Sequence, residues 1–258
     1  IQLQVTNLGE EPVGGPGDRV YLSGFDHNVI TGLPPGGVAL PALAGRYVGF
    51  SAPGVRTTEG YIPDADFVTF DNVVIRRIPA DQYPVNMLAT ACYDYRTNVS
   101  ATVCLDPYPN VATLKAKVCS PRQITMLPHV APISVASIMA EPRNGVTSFR
   151  ITLTNTGGGS VFRRGVDYLT RCNPYADRGL AYDEIDQVQV LEVSVGGQPL
   201  NCRATGVDNH VRLTSNTGIF TCDAPVTGND AYTTPMKIVL AYGYRSQTAT
   251  AFQVYRTP

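Results

Sequence analysis

Tryptophan is absent from the sequence, and lysine occurs only three times, as Lys115, Lys117 and Lys237. Charged residues make up only 16% of the chain, and the formal net charge is -1. Such a balance provides no general attraction to nucleic acid or to an anionic membrane surface. No apolar run reaches the roughly 18 residues that a membrane-spanning helix needs. We therefore expect no nucleic-acid partner and no membrane insertion.

The local signatures of common catalytic sites are also missing. There is no Gly-x-Ser-x-Gly sequence, no glycine-rich phosphate loop and no His-Glu-x-x-His pattern. The three histidines, His27, His129 and His210, are widely separated, and no Cys-x-x-Cys pair occurs, so the metal-site interpretation is weak. A secreted hydrolase with a pair of dispersed carboxylates is the least favoured interpretation, because the sequence has no tryptophan to stack on a sugar. We expect no catalytic residue, no metal ligand and no cofactor.

Acidic residues do cluster in two places, around Asp64, Asp66 and Asp71 and within residues 177–186. Carboxylates in extracellular loops can hold a structural Ca²⁺. Neither cluster has the spacing of a known calcium loop. We therefore favour solvated turn carboxylates over a calcium site.

The composition predicts an all-β protein. The chain is 43% hydrophobic, enough to bury a core, and its 24 glycines and 20 prolines predict many turns. Strand-like runs recur between Gly, Pro, Asn and Asp residues, a pattern that favours β-sandwiches. They include Ala112–Val118, Gln187–Val195, Met236–Tyr244 and Ala249–Tyr255. The proline-containing stretch Ser120–Pro132 is the best linker, which gives two tandem Ig-like or jelly-roll-type domains at 1–128 and 129–258. Only short helices are expected, within Asp167–Arg178 and Tyr182–Asp186.

Six cysteines indicate disulfides and an oxidising compartment. Each predicted half contains three cysteines, so the six cannot all pair within their own half. The preferred pairs are Cys202–Cys222, Cys104–Cys119 and Cys92–Cys172, of which the last would clamp the two halves together. The competing arrangement joins Cys92 to Cys104 across a hairpin and Cys119 to Cys172. Spacing alone does not choose between them.

Asn98 begins an Asn-Val-Ser sequon between two strand-like runs, Met87–Tyr95 and Val99–Leu105. A glycan needs an exposed acceptor, and a turn between two strands would supply one. We therefore predict an N-linked glycan on Asn98 at the tip of a hairpin. Together with the cysteines, this predicts a secreted or cell-surface protein.

The segment from Phe149 to Gly159 alternates apolar and polar residues and then breaks at Asn-Thr-Gly-Gly-Gly. It resembles the F-x-I-x-V-x-N-x-G strand of Ig-like adhesion and surface domains. At the start of the chain, Ile1, Leu3 and Val5 alternate with polar residues and predict a strand. Such a strand can pair within its own domain or complete the sheet of a neighbouring copy.

A glycosylated, disulfide-bonded chain of Ig-like modules that starts with a strand resembles the subunits of archaeal and bacterial surface filaments. These subunits polymerise by donor-strand complementation. The resemblance implies that Ile1, Leu3 and Val5 are the inserted side chains and that the partner is another copy of this chain in a homopolymer. The alternatives are a secreted adhesin or carbohydrate-binding module, with Tyr242 and Tyr244 as candidate stacking residues, and a viral or S-layer surface protein.

Overall fold

The protein was analysed as a computed structural model that describes residues 1–44, 64–78, 80–111, 116–126, 130–143, 145–204 and 208–256. The predicted all-β class is confirmed, since nearly all regular structure is strand. Over these ranges the single helix has six residues, and no helix is long and apolar enough to cross a membrane. His129 and part of the predicted strand Ala112–Val118 lie outside the described residues.

The strands and the helix follow one another along the chain. The first seven strands are β1 (Gln2–Asn7), β2 (Arg19–Ser23), β3 (Ile30–Thr31), β4 (Val38–Ala39), β5 (Asp64–Thr69), β6 (Val74–Ile75) and β7 (Gln82–Leu105). The next five elements are β8 (Gln123–Thr125), β9 (Ile133–Arg143), β10 (Val146–Asn155), β11 (Ser160–Phe162) and α1 (Val166–Arg171). The last six are β12 (Gln187–Val195), β13 (Gln198–Pro199), β14 (Asn201–Arg203), β15 (His210–Arg212), β16 (Thr217–Pro225) and β17 (Tyr232–Tyr255).

The chain divides into two compact units, neither of which is continuous in sequence. Unit 1 contains Ile1–Tyr95, Arg164–Ile185 and Gly243–Pro258, and unit 2 contains Arg96–Arg163 and Asp186–Tyr242. These units differ from the consecutive domains 1–128 and 129–258 that the linker suggested. The reason is that Ser120–Pro132 is not simply a linker, because it contains β8, which pairs with β9 inside unit 2.

In unit 1, β2 pairs with both β4 and β7, β1 pairs with β5, and β3 pairs with β6. Alternate residues of these strands point inward and meet in one buried apolar cluster. We call this cluster the unit 1 core; it consists of Val20, Leu22, Phe25, Val29, Ile30, Leu40, Val68, Phe70, Ile78, Val85 and Met87.

In unit 2, a five-stranded sheet has the order β14-β16-β10-β9-β8, and β12 pairs with β13, β15 and β17. The strand β10 shows why these residues form a sheet. Phe149, Ile151 and Leu153 are fully buried, whereas Arg150 between them is exposed, as the period-two pattern predicts. The strand ends where the side-chain amide of Asn155 donates to the carbonyl oxygen of Gly159 at 2.9 Å.

Two strands are twice as long as expected. The runs Met87–Tyr95 and Val99–Leu105 form parts of the single 24-residue strand β7, and Met236–Tyr244 and Ala249–Tyr255 are parts of the 24-residue strand β17. Each long strand supplies one part to unit 1 and the other part to unit 2. The second predicted helix, Tyr182–Asp186, is a turn followed by a β-bridge residue instead.

Candidate assembly site

The strand β1 forms a two-stranded antiparallel ribbon with β5, outside the larger sheets. In this ribbon Leu3 lies opposite Val68 and Gln4 lies opposite Phe67. The backbone N–H of Phe70 extends the pairing by donating to the carbonyl oxygen of Ile1 at 2.7 Å. The strand predicted at the start of the chain is therefore present, and its partner is a strand of the same chain.

The two faces of β1 differ in burial. Leu3 and Val5 pack against the unit 1 core and are half-buried. Gln2 and Gln4 on the opposite face are exposed. Ile1, on the same face as Leu3 and Val5, is 41% exposed. The predicted alternation is thus confirmed. Its apolar side is only partly covered by this chain's own core.

The chain leaves β1 through a turn built by Asn7, which is 5% exposed. Its side-chain nitrogen donates to the carbonyl oxygens of Glu11 at 2.9 Å and Leu43 at 3.3 Å, and its side-chain oxygen accepts from the N–H of Gly9 at 2.9 Å. A Cβ atom at Gly9 would lie 1.9 Å from the hydroxyl oxygen of Tyr95, so any larger residue would have to displace that ring. This turn fixes where β1 ends.

A buried carboxylate, Asp18, joins the following loop to β7. Asp18 is 4% exposed. One of its oxygens accepts from the backbone N–H groups of Gly14 at 2.9 Å and Gly15 at 2.8 Å, and the other accepts from the N–H of Asp94 at 3.0 Å. The Asp94 carboxylate in turn accepts from the N–H of Gly165 at 3.1 Å, just before α1. Two carboxylates thereby connect three segments of unit 1 that are distant in sequence.

Burial raises the pKa of both carboxyls. For Asp18 the backbone N–H groups act in the opposite direction, because they stabilise the ionised form. For Asp94 the N–H of Gly165 and the positive charge of Arg164 oppose the effect of burial, while the charge of Asp18 adds to it. Sequence reasoning missed this pair. The only available signal was Asp18 in a glycine-rich turn, which composition alone interprets as a solvated loop residue.

The helix α1 is held in unit 1 by a disulfide bond and by an ion pair. Cys172, at its C-terminal end, is bonded to Cys92 of β7, with the two Cα atoms 6.3 Å apart. The guanidinium of Arg171 contacts the carboxylate of Glu184, and also Asp167 one turn earlier at 3.0 Å. Burial alone would raise the pKa of Glu184, but the hydrogen bonds from Arg171 and from the N–H of Ala181 lower it.

The structure contains three disulfides: Cys92–Cys172, Cys104–Cys119 and Cys202–Cys222. These are the pairs that the sequence analysis preferred. The role assigned to Cys92–Cys172 was wrong, however, because both cysteines belong to unit 1 and the bond clamps no second domain to it. Three disulfides are typical of proteins from oxidising compartments outside the cytoplasm.

Asn98 is exposed, but it lies inside β7. The predicted position at a hairpin tip is wrong, because residues 82–105 continue as one strand and no turn separates Tyr95 from Val99. For the same reason the hairpin required by the alternative Cys92–Cys104 pair does not exist.

Tyr242 and Tyr244, the candidate sugar-stacking residues, are 0% and 1% exposed. The hydroxyl of Tyr242 lies 2.8 Å from that of Thr97 and accepts from the backbone N–H of Ile133 at 3.1 Å. These two tyrosines therefore form part of the packed interior and present no ring face to a sugar.

The acidic clusters do not converge on a common point. The carboxylate of Asp64 accepts from the N–H of Ala44 at 2.8 Å, and that of Asp66 accepts from its neighbour Phe67 at 2.7 Å. Among the described residues, no group of three or more His, Cys, Asp or Glu side chains is placed to hold a metal ion.

The fold and these sites define a disulfide-bonded all-β protein whose strand β1 forms a two-stranded ribbon with β5. Comparisons with protein-family models, with curated proteins and with solved structures find no match to this chain. The functional argument therefore depends on the chain's own residues.

Proposed function

We propose that this protein is a structural subunit of an extracellular or cell-surface filament, in which β1 of one copy pairs with the next copy. The observation that carries the proposal is the β1–β5 ribbon. The strand β1 has β5 as its strand partner in a sheet of only two strands, and its apolar face is half-buried. A strand held in this way can be exchanged between copies.

Exchange replaces the pairing within one chain by the same pairing between two chains. Leu3 would again lie opposite Val68, but the Val68 of the neighbouring copy, and each backbone hydrogen bond of the ribbon would form again. The cost is therefore small, as in other domain-swapped assemblies. The turn at Asn7 and Gly9 is the segment that must open.

The geometry of the exchange determines the product. Because β1 and β5 are different surfaces, the contact is heterologous, so it generates an open fibre unless the rotation between copies closes a ring. Exposed Ile1 and half-buried Leu3 and Val5 are the side chains that this contact would cover. A head-to-tail homopolymer follows from one repeated interaction.

Two variants of the same strand test the proposal. The double variant Leu3→Asp, Val5→Asp puts two charges on the face that packs against the core, whereas Gln2→Asp, Gln4→Asp adds the same charges to the exposed face. Negative-stain microscopy and light scattering should show fibres for the wild type and for the Gln2, Gln4 variant but not for the Leu3, Val5 variant. Deletion of residues 1–7 should also prevent polymerisation.

The control is the fold of the monomer, checked by far-UV circular dichroism and by the thermal transition. A synthetic peptide with the sequence of residues 1–7, added in excess to the wild type, should shorten the fibres without changing any side chain of the protein. Native material that stays monodisperse and monomeric at every concentration would falsify the proposal, as would fibres that form equally well from the Leu3, Val5 variant.

We also propose that the assembly is glycosylated at Asn98, which is exposed on β7. The attachment must precede or accompany folding, because a paired strand cannot adopt the turn that the transferase needs. Intact-mass measurement of protein made in a host with N-glycosylation should show a glycan that the Asn98→Gln variant lacks. A wild-type mass equal to that of its own unmodified sequence would exclude the modification.

A further inference from the structure

An exposed pair of arginines follows the short strand β6. Arg76 and Arg77 are both exposed, and the apolar residues Val74 and Ile75 before them are 54% and 51% exposed. Within the part of the chain that the structure describes, neither guanidinium belongs to an ion pair. Four consecutive side chains, two apolar and two positively charged, are therefore open to solvent.

The backbone of this segment is attached to unit 1 by few contacts. The strand β6 has only two residues and pairs with the two residues of β3. The N–H of Arg76 adds a hydrogen bond to the carbonyl oxygen of Val29 at 2.8 Å. Of residues 74–78 only Ile78 is buried, and its carbonyl oxygen accepts from the guanidinium of Arg256 at 2.9 Å. Detachment releases one core side chain and a small number of hydrogen bonds, and such segments open most readily.

These properties match what an endoprotease needs from its substrate. A protease binds the residues around the scissile bond in an extended conformation, as one strand pairs with another. In enzymes of the trypsin type, a carboxylate in a pocket holds the arginine side chain of the substrate. Residues 74–77 offer an extended backbone, two apolar side chains and then two arginines. The segment therefore presents a recognition sequence for paired basic residues.

We infer that Arg76–Arg77 is a processing site, which is cut by an endoprotease that recognises paired arginines. Carboxylates of the enzyme bind the two guanidinium groups, and water hydrolyses the peptide bond after Arg77. The products are a carboxylate on Arg77 and an amino group on Ile78, so the step consumes one water and no other reactant. The inference does not depend on the filament proposed above.

The chain contains its own comparison. The only other pair of adjacent basic residues in the sequence is Arg163–Arg164, between β11 and α1. Both arginines are half-buried, and the Nε atom of Arg163 is fully buried. Phe162 before them is 1% exposed, and the N–H of Gly165 after them donates to the carboxylate of Asp94. The same recognition pair is therefore present twice, once exposed and once packed.

The positions of the disulfides make cuts at the two pairs distinguishable. All six cysteines follow Arg77 in the sequence, so no disulfide joins residues 1–77 to residues 78–258. After a cut there, residues 1–77 are held by noncovalent contacts such as the pairing of β2 with β7. A cut after Arg164 would instead leave its two pieces joined by Cys92–Cys172.

Digestion of the folded protein with a purified endoprotease specific for Arg-Arg pairs tests the inference. A denaturing gel run without reductant should show residues 1–77 separated from residues 78–258, and intact masses should assign the cut to Arg77. Reduced, alkylated and heat-unfolded protein should be cut after both pairs, which checks that the enzyme accepts each sequence. Folded protein that stays uncut after Arg77, or that is cut equally fast after Arg164, would overturn the inference.

N-terminal sequencing of material from the natural source shows whether the site is used. Chains that begin at Ile78 are expected, and material in which every chain keeps the bond between Arg77 and Ile78 would refute processing.

Substitution of the pair provides a further measurement. Arg76→Gln, Arg77→Gln should abolish the cut in the folded protein. The matched control is Arg143→Gln, Arg150→Gln, since it removes the same charge from two other exposed arginines. The control should be cut as fast as the wild type, and a cut that persists without the Arg76–Arg77 pair would contradict the assignment. Fibre formation is scored separately by microscopy, so failure of the filament proposal and failure of this one remain distinguishable.

Discussion

Removal of the Cys92–Cys172 disulfide should destabilise unit 1. The loss should be larger than the loss that unit 2 suffers when either of its own two disulfides is removed. The two cysteines are 80 residues apart, whereas the Cys202–Cys222 bond closes only 20 residues. In the chain-entropy model these loops correspond to about 4.5 and about 3.3 kcal/mol at 25 °C. Cys92 and Cys172 are also 0% and 3% exposed, so substitution by alanine removes packing in addition.

The measurement is native-state hydrogen exchange, because a single unfolding transition is not guaranteed for a chain of two units. Amides of β2 and α1 should lose protection equivalent to about 4.5 kcal/mol or more in the double variant Cys92→Ala, Cys172→Ala. The matched variant Cys202→Ala, Cys222→Ala should affect β14 and β16, by about 3.3 kcal/mol.

A reversed order of the two losses would refute the reasoning. So would protection in β2 that does not change when the bond between Cys92 and Cys172 is removed. Either result would mean that the constraint on the unfolded chain, which grows with loop length, is not what these bonds contribute.

Three further substitutions test the interior. Burial raises the pKa of Asp18 above its value in the unfolded chain, so the stability that Asp18 contributes is lost as the pH rises through the raised pKa. In urea titrations, the unfolding free energy of the wild type minus that of Asp18→Asn should therefore fall from acidic to neutral pH. A rise in this difference would contradict the argument. Phe149→Ala should cost about 3–5 kcal/mol because Phe149 is 0% exposed, whereas Phe67→Ala, at a residue 53% exposed, should stay within about 0.5 kcal/mol in the same assay. Tyr242→Phe leaves the hydroxyl of Thr97 with one buried partner fewer and should lower the free energy of unfolding by about 1–3 kcal/mol. The melting temperature should fall accordingly, and an unchanged value would show that the hydroxyl contact contributes nothing.

Local periodicity was sufficient for much of the fold. The strand Gln187–Val195 was predicted with its observed bounds, and the alternation in Phe149–Thr154 identified which side chains are buried. In both strands one face packs against a core, so apolar and polar residues alternate along the sequence and the alternation predicts which side chains are buried. The alternation of Ile1, Leu3 and Val5 was informative for the same reason.

The division into units was not predictable in this way. Residues 164–185 and 243–258 belong to unit 1, although long segments of unit 2 precede each of them in the sequence. No local sequence pattern indicates which distant strand such a segment will join. The linker prediction failed because prolines in Ser120–Pro132 flank β8 without interrupting it. Asn98 was misplaced because an exposed polar residue within a long strand has the same composition as a turn.

The order of the cysteines has a consequence for biosynthesis. As the chain emerges, Cys92 meets Cys104 and Cys119 long before its native partner, Cys172, is made. Unit 1 also waits for residues 243–258, so its core cannot close until that segment has been made. An oxidising compartment therefore offers Cys92 two wrong partners first. Exchange of disulfides takes seconds to hours and depends on an isomerase, so the yield of folded protein should be limited by that exchange.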